Sequence, residues 1–166
     1  MKIRKSTEQD LPRMMEIYRC ARERMAAHGN PKQWGLTQWP PQALIRHDIE
    51  RGNSYVCLDE EETVIGTFYF DCGKDIEPTY RNITEGRWMK DDPYGVIHRI
   101  ASDGLHKGVG IYCINWAFAQ CGHLRMDTHG DNRIMQKLLK NLGFVHCGTI
   151  FVEEDDEPRL AFEKNK

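Results

Sequence analysis

The stretch from Val96 to Ala119 constrains the chain most. An apolar run, Val96-Ile97-His98-Arg99-Ile100-Ala101, passes through Ser102-Asp103-Gly104-Leu105-His106-Lys107-Gly108-Val109-Gly110 into a second apolar segment, Ile111 to about Ala119. The first run reads as a strand and the last as a helix, joined by a glycine-rich turn. A strand that enters a helix through glycines leaves the first-turn N–H groups of that helix unpaired and pointing outward. The helix dipole adds partial positive charge at the same place. Such a turn is suited to hold an anion, most often a phosphate or pyrophosphate.

The other segments predict one domain over residues 1–166, a length that can bury a core without staples. A formal charge of −2 argues against a nucleic-acid binder that works by bulk electrostatics. No apolar run is long enough to span a bilayer, and no apolar stretch follows the basic Met1–Lys5 end, so no secretion signal is read. The six cysteines form no Cys-x-x-Cys pair and are expected to be buried, reduced thiols of a cytoplasmic protein. A zinc site using His98, His123 or His146 lacks ligand spacing.

In chain order, Lys2–Lys5 reads as an edge strand. Ser6 with Gln9, or Thr7 with Asp10, has capping-box spacing before a helix that carries Leu11, Met14, Ile17, Tyr18, Ala21 and Met25. His28-Gly29-Asn30-Pro31 stops that helix. Residues 32–41 form a loop with two tryptophans, and a second helix covers 42–51. Strands are expected at 54–58 and 63–71, then at 124–128, 144–152 and 159–163, with a helix over 132–141. Residues 72–93 form a long irregular segment, with a short helix around 80–86 as an option, and loops of that length are usually functional. Glu153-Glu154-Asp155-Asp156-Glu157 reads as a solvated turn. This order describes an α+β (mixed α/β) chain with antiparallel pairs and one strand–helix–strand crossover, from 96–101 to 124–128.

The order, the Gly108-Val109-Gly110 turn and two further segments resemble the GNAT superfamily of N-acetyltransferases. Ile3-Arg4-Lys5-Ser6-Thr7 followed by Asp10-Leu11 is similar to the family's opening strand and helix. Asp131-Asn132-Arg133-Ile134-Met135 through Lys140-Asn141-Leu142-Gly143-Phe144 is similar to its Asn-containing fourth helix. The resemblance covers the whole chain. It implies a mostly antiparallel sheet with a splayed parallel strand pair, flanked by about four helices. It also implies acetyl-CoA as co-substrate, with no metal. Backbone groups of Ile100, Ala101 and Ser102 would pair with the pantetheine amides. The N–H groups of Lys107, Gly108, Val109 and Gly110 would hold the pyrophosphate, and Asn132 would hold pantetheine or nearby backbone. Two positions depart from the family pattern. Leu105 stands where the family keeps Arg or Gln, so His106 and Lys107 are the candidates for positive charge there. Leu139 stands where many members carry the tyrosine that protonates the leaving thiolate. A thiol with pKa near 8.5 leaves more easily than an amine, so that loss need not abolish rate.

Direct attack of an amine on a thioester needs an oxyanion donor, a proton path and a substrate pocket. A backbone N–H near Ile100 is the expected donor. His98 and Arg99 should point to opposite faces of a central strand, each either tied to a carboxylate or facing the reacting groups. His98 and Asp127 are the candidate catalytic side chains. Asp127 and His129 share a face at the end of their strand, with a turn contact before the 132–141 helix as the alternative for both. Trp34, Trp39, Tyr80, Glu85 and Trp88 of the irregular segments, with Arg99 and His129, are the candidate acceptor wall, and aromatic rings with a carboxylate suit a cationic amine. Loop tryptophans also serve as core lids. The leading reading is an acetyl-CoA-dependent N-acetyltransferase acting on a primary amine of a small molecule or peptide. Neither nucleic acid nor membrane is expected as a partner, and a homodimer is compatible. A CoA-binding module of the same fold without turnover is the second reading. A metal or redox protein is disfavoured by spacing.

Overall fold

The computed structural model describes residues 1–166. Eleven regular elements follow the expected order: β1 (Lys2–Lys5), α1 (Leu11–Ala27), α2 (Gln42–Glu50), β2 (Ser54–Leu58), β3 (Val64–Gly73), β4 (Tyr94–Ser102), α3 (Val109–Cys121), β5 (His123–His129), α4 (Arg133–Asn141), β6 (Val145–Phe151) and β7 (Pro158–Asn165). The strands make one seven-stranded sheet in the order β1-β2-β3-β4-β5-β7-β6. Every pairing is antiparallel except β4 with β5. No helix is long and apolar enough to cross a membrane.

Alternation along the strands sorts the core into two faces. Cys57, Ile97 and Phe162 pack with α3 and α4 through Val109, Cys113, Ile114, Ala117 and Leu139. Their neighbours in sequence turn the other way. Val56 packs with α1 and α2 through Leu11, Met14, Ile17, Tyr18 and Ile45. Val96 and Ala161 pack with Tyr80 of the irregular segment. The second face is therefore shared between the first two helices and the segment that joins β3 to β4.

Local chemistry explains the boundaries. Of the two capping-box spacings, Thr7 with Asp10 forms: the Thr7 N–H donates to Asp10 Oδ2 at 2.8 Å. Asp10 is also clamped by both Arg4 amino groups, at 2.7 and 2.8 Å, and that pairing holds its carboxyl below the usual range. Gly122 ends α3 with a left-handed φ of 68°, which glycine adopts without a Cβ clash. The thiols are all free. Cys57, Cys113 and Cys147 are buried as expected, whereas Cys72 is exposed near the end of β3.

The joining segment differs most from its sequence reading. β3 runs on to Gly73, so Cys72 is strand. A short 3-10 helix covers Pro78–Asn82 in place of a helix at 80–86. The remainder forms a strap across the outer edge of β6. Thr84 and Thr149 exchange N–H···O bonds of 2.9 and 2.8 Å, and Arg87 N–H donates to the Cys147 carbonyl at 2.9 Å. Buried Glu163 of β7 accepts from His123 at 2.5 Å, from Arg125 Nε at 3.2 Å and from the Met89 N–H. The Arg125 guanidinium lies over the rings of Trp88 and Tyr94, 4.4 and 4.1 Å from their centroids. These contacts fix the strap at both ends and deliver residues 77–80 to the sheet.

Gly86 tests the strap. A Cβ there would lie 1.9 Å from the Cys147 carbonyl oxygen, a backbone atom that can move only by breaking the edge contact. Gly86→Ala is expected to cost about 2 kcal/mol. Its melting temperature should fall by about 4–8 °C in a thermal denaturation.

Candidate functional site

β4 and β5 pair only at Gly95↔Leu124 and Val96↔Arg125 and then separate. Beyond that point the β4 edge from Ile97 to Ser102 has no strand partner. A β-bulge accompanies the separation, because β4 places one extra residue between His98, opposite Tyr69, and Ala101, opposite Thr67. Arg99 sits in the bulge with φ 52°, a left-handed conformation that costs a side-chain-bearing residue roughly 1–2 kcal/mol. Three contacts hold it there. Its guanidinium donates to Asp48 Oδ2 of α2 at 2.7 Å and lies over the Tyr69 ring at 4.8 Å. Its carbonyl accepts from the Tyr18 hydroxyl at 2.9 Å. Burial raises the Asp48 carboxyl, and Arg99 offsets part of that rise.

The bulge corrects one expectation. His98 and Arg99 do not point to opposite faces, because positive φ at Arg99 breaks the alternation. Both side chains lie on the α1–α2 face and both touch Tyr69. Each is tied to a carboxylate, Glu77 for His98 and Asp48 for Arg99.

The gap between the strands opens a cavity of about 920 Å³. Ile97, His98, Arg99, Ile100, Ala101 and Ser102 line it from β4, and Met126, Asp127 and Thr128 from β5. Trp34 and Trp39 wall it from the α1–α2 connection, and Asn132 from the start of α4. Asn132 caps α4, accepting from the Met135 N–H at 3.1 Å, and donates to Gln33 at 3.0 Å. Trp34 also stands edge-on to Tyr18, so it serves the wall and the α1 core together.

At the splay, His98 Nε2 is 2.7 Å from Glu77 Oε2, and its Nδ1 is 3.9 Å from Asp127 Oδ1. Asp127 Oδ1 accepts from the Tyr80 hydroxyl at 2.7 Å. Burial with this carboxylate alongside pushes the Tyr80 hydroxyl well above its ordinary range. Glu77 Oε1 accepts from the Thr79 N–H and hydroxyl at 3.2 and 2.7 Å. Burial pushes the Glu77 carboxyl up, but the His98 hydrogen bond and charge, with the Thr79 donors, outweigh it and hold it at about 2. Glu154 of the acidic run lines the same cavity. Burial raises its carboxyl, and Asp127 adds to the rise. The run is thus only partly a solvated turn: Glu154 is half-buried and Asp155 clamps Arg159 at 2.7 and 3.1 Å.

The turn beyond β4 forms an open cradle. Gly108 has φ 77° and begins α3. The N–H groups of Lys107, Gly108, Val109, Gly110 and Ile111 take no acceptor within the chain. Asp103 accepts from the N–H groups of Leu105 and His106 and so fixes the turn's entry.

Several expected site residues lie elsewhere. His106 faces back on its own turn, with Nδ1 2.9 Å from Asp103, so its ring is turned away from the cradle. Glu85 has left-handed φ and accepts from the Thr149 hydroxyl at 2.7 Å, outside the cavity. His129 is buried, and its Nδ1 accepts from the Asp131 N–H at 3.0 Å. It shapes the β5–α4 turn and does not line the cavity, as the turn-contact alternative anticipated. Of the wall candidates from the long segment, Tyr80 donates to Asp127 behind the cavity lining, and Trp88 donates its indole N–H to the Tyr80 carbonyl away from the cavity. Glu77 was missed. Glu77 followed by Pro78 and Thr79 was the available signal, a side-chain cap at the start of a short helix.

No protein-family profile and no curated protein matches the chain. Solved structures do. A GNAT-family acetyltransferase from Streptococcus agalactiae matches with TM-score 0.82 and 29% identity, over 99% of this chain and 95% of that one. The chain belongs to the GNAT superfamily. A GNAT-family acetyltransferase from Listeria monocytogenes shares the fold at TM-score 0.72 and 14% identity, over 99% and 94% of the two chains. A phosphinothricin acetyltransferase from Sinorhizobium meliloti, solved with AcCoA, shares it at TM-score 0.62 and 20% identity, over 99% and 87%. Within this GNAT chain both departures from the motif are visible: Leu105 is the most exposed large apolar side chain, and Leu139 is fully buried against the sheet.

The Glu77 carboxyl sets an acid dependence. Held near 2 against an ordinary 4.5, it stabilises the fold fully above pH 4.5, and that stability is lost as pH falls toward 2. The contribution is about 3 kcal/mol. Denaturant titrations of wild type and Glu77→Gln should therefore diverge at neutral pH and converge toward pH 2.

Proposed function

We propose that the chain is an acetyl-CoA-dependent N-acetyltransferase that moves an acetyl group to a primary amine of a small molecule or peptide. One observation carries the reading: the unpartnered β4 edge from Ile97 to Ser102 runs from the His98–Asp127 pair to the unpaired N–H groups at the start of α3. An extended pantetheine can pair with such an edge as a strand would, through Ile100, Ala101 and Ser102. The helix N-terminus suits the pyrophosphate.

In this reading His98 and Asp127 are the catalytic side chains. The acceptor enters as an ammonium between Asp127 and Glu154, against the Trp34 and Trp39 wall. It gives up a proton, and the neutral nitrogen attacks the thioester carbonyl. The C–N bond forms, the C–S bond breaks, and the CoA thiolate leaves. The Ile100 N–H in the bulge is the donor proposed for the oxyanion. Buried Leu139 supplies no acid, so the thiolate takes its proton from the attacking nitrogen or from water.

Thiol release with acetyl-CoA and a panel of polyamines, aminoglycosides, amino acids and peptides tests turnover. Release with at least one amine is expected. Thermal stabilisation by acetyl-CoA without release from any amine would favour the second reading, a CoA-binding module, which Leu105 and Leu139 support.

Gly108→Asp tests the cradle. An added Cβ there meets nothing within 4 Å, so the side chain has room, and the left-handed φ of 77° adds roughly 1–2 kcal/mol of strain to bound and free forms alike. Its carboxylate would repel the pyrophosphate. Saturating acetyl-CoA at about 100 times Kd should stabilise wild type by about 2.7 kcal/mol. In Gly108→Asp the thermal shift should vanish, and an unchanged shift would count against the cradle.

A further inference from the structure

We propose that Glu77 and His98 act as a dyad in which Glu77 is the positioning residue and His98 Nδ1 is the atom that takes the acceptor's proton. The proposal rests on the acetyltransferase reading for its chemistry, but its geometry stands alone.

The Glu77 carboxylate carries no proton to give, since it is held ionised and accepts two hydrogen bonds from Thr79. The 2.7 Å contact with His98 Nε2 therefore requires the hydrogen to sit on Nε2. In the neutral ring this leaves the lone pair on Nδ1. That nitrogen makes no hydrogen bond in the chain, and its nearest carboxylate oxygen, on Asp127, is 3.9 Å away. The gap is too long for direct bonding. It suits an ammonium that donates one N–H to Asp127 and another to Nδ1.

The other groups around the ring agree with this role. From β3, Tyr69 packs at 5.8 Å between centroids, and from the 3-10 turn Tyr80 packs at 6.0 Å. Tyr80 donates to Asp127 and so keeps that carboxylate from turning onto Nδ1. Glu154 of the β6–β7 turn lines the cavity near the ring, while Arg99 beside it is neutralised by Asp48 of α2. The ring thus lies between two carboxylates, with Glu77 at Nε2 and Asp127 facing Nδ1.

The step balances. One proton passes from the ammonium to Nδ1, giving an imidazolium held between Glu77 and Asp127. The freed nitrogen pair forms the C–N bond, and the C–S pair leaves on sulfur. A second N–H proton neutralises the amide and passes to the thiolate, and Nδ1 returns its proton to water.

Two measurements test this. Long-range proton–nitrogen correlation spectra of the full chain, with the His98 signal assigned by its loss in His98→Asn, report the ring directly. The neutral ring is expected to carry its hydrogen on Nε2, and a ring protonated on Nδ1 would overturn the proposal. In the amine assay, His98→Asn should lower kcat about 100-fold and Glu77→Gln about tenfold. The double variant should be no slower than His98→Asn, because a dyad fails once. Multiplied losses would show that Glu77 works independently and sink the dyad. A wild type that acetylates no amine defeats the acetyltransferase reading alone, because the ring spectra still decide the dyad.

Discussion

The site depends on one strained residue. Arg99 holds the bulge in β4, and the bulge accompanies the parting of β4 from β5. A left-handed φ at a long side chain persists only where its surroundings over-determine it. Here the surroundings are an ion pair to Asp48, the Tyr69 ring and the Tyr18 hydroxyl, contributed by α2, β3 and α1. Removing one partner of a buried pair costs about 3–5 kcal/mol, more than the strain itself. Helices that would otherwise only cover the sheet thus keep its centre open.

From that opening the remaining chemistry follows by proximity. The unpaired edge of β4 ends at the entry to the glycine turn, so a single linear ligand can touch both. His98 sits one residue before the bulge, and Asp127 occupies the facing strand just past the last paired residues. Their Nδ1–Oδ1 distance of 3.9 Å reflects how far the strands have parted at that level. Glu77 and Tyr80 arrive from a segment that is neither helix nor strand for most of its length. The strap contacts on β6 and Glu163 make their placement reproducible.

Much of this was legible in the amino-acid order. The strand–glycine–helix pattern at Val96–Ala119 located the cradle, because unpaired helix N–H groups follow from backbone geometry whatever the side chains are. Period-2 and period-3.6 apolar spacing located six strands and the four helices, whereas β1, with Ile3 as its one apolar residue, carries no such pattern. What escaped depended on contacts between distant residues. A strand read with strict alternation places His98 and Arg99 on opposite faces, and only the pull of Asp48 and Tyr18 on the bulge changes that. Glu85 and His129 were plausible wall residues by type, yet a threonine across the strap and a turn N–H claim them. Glu77 was unremarkable beside a proline until the fold set it against His98. The acidic run looked solvated because charge runs usually are, and the closeness of the β6–β7 turn to Asp127 is a tertiary fact.

The strap over β6 has a consequence for how the molecule meets others. The end strand of a sheet normally offers a row of free amide and carbonyl groups on which another strand can add. Here the middle of that row is already taken by Thr84 and Arg87, while the opposite end strand, β1, is only four residues long. Sheet-to-sheet extension, a common route to fibrils, finds no long template on either side. The segment that carries Glu77 to the cavity also makes the fold resistant to self-templating.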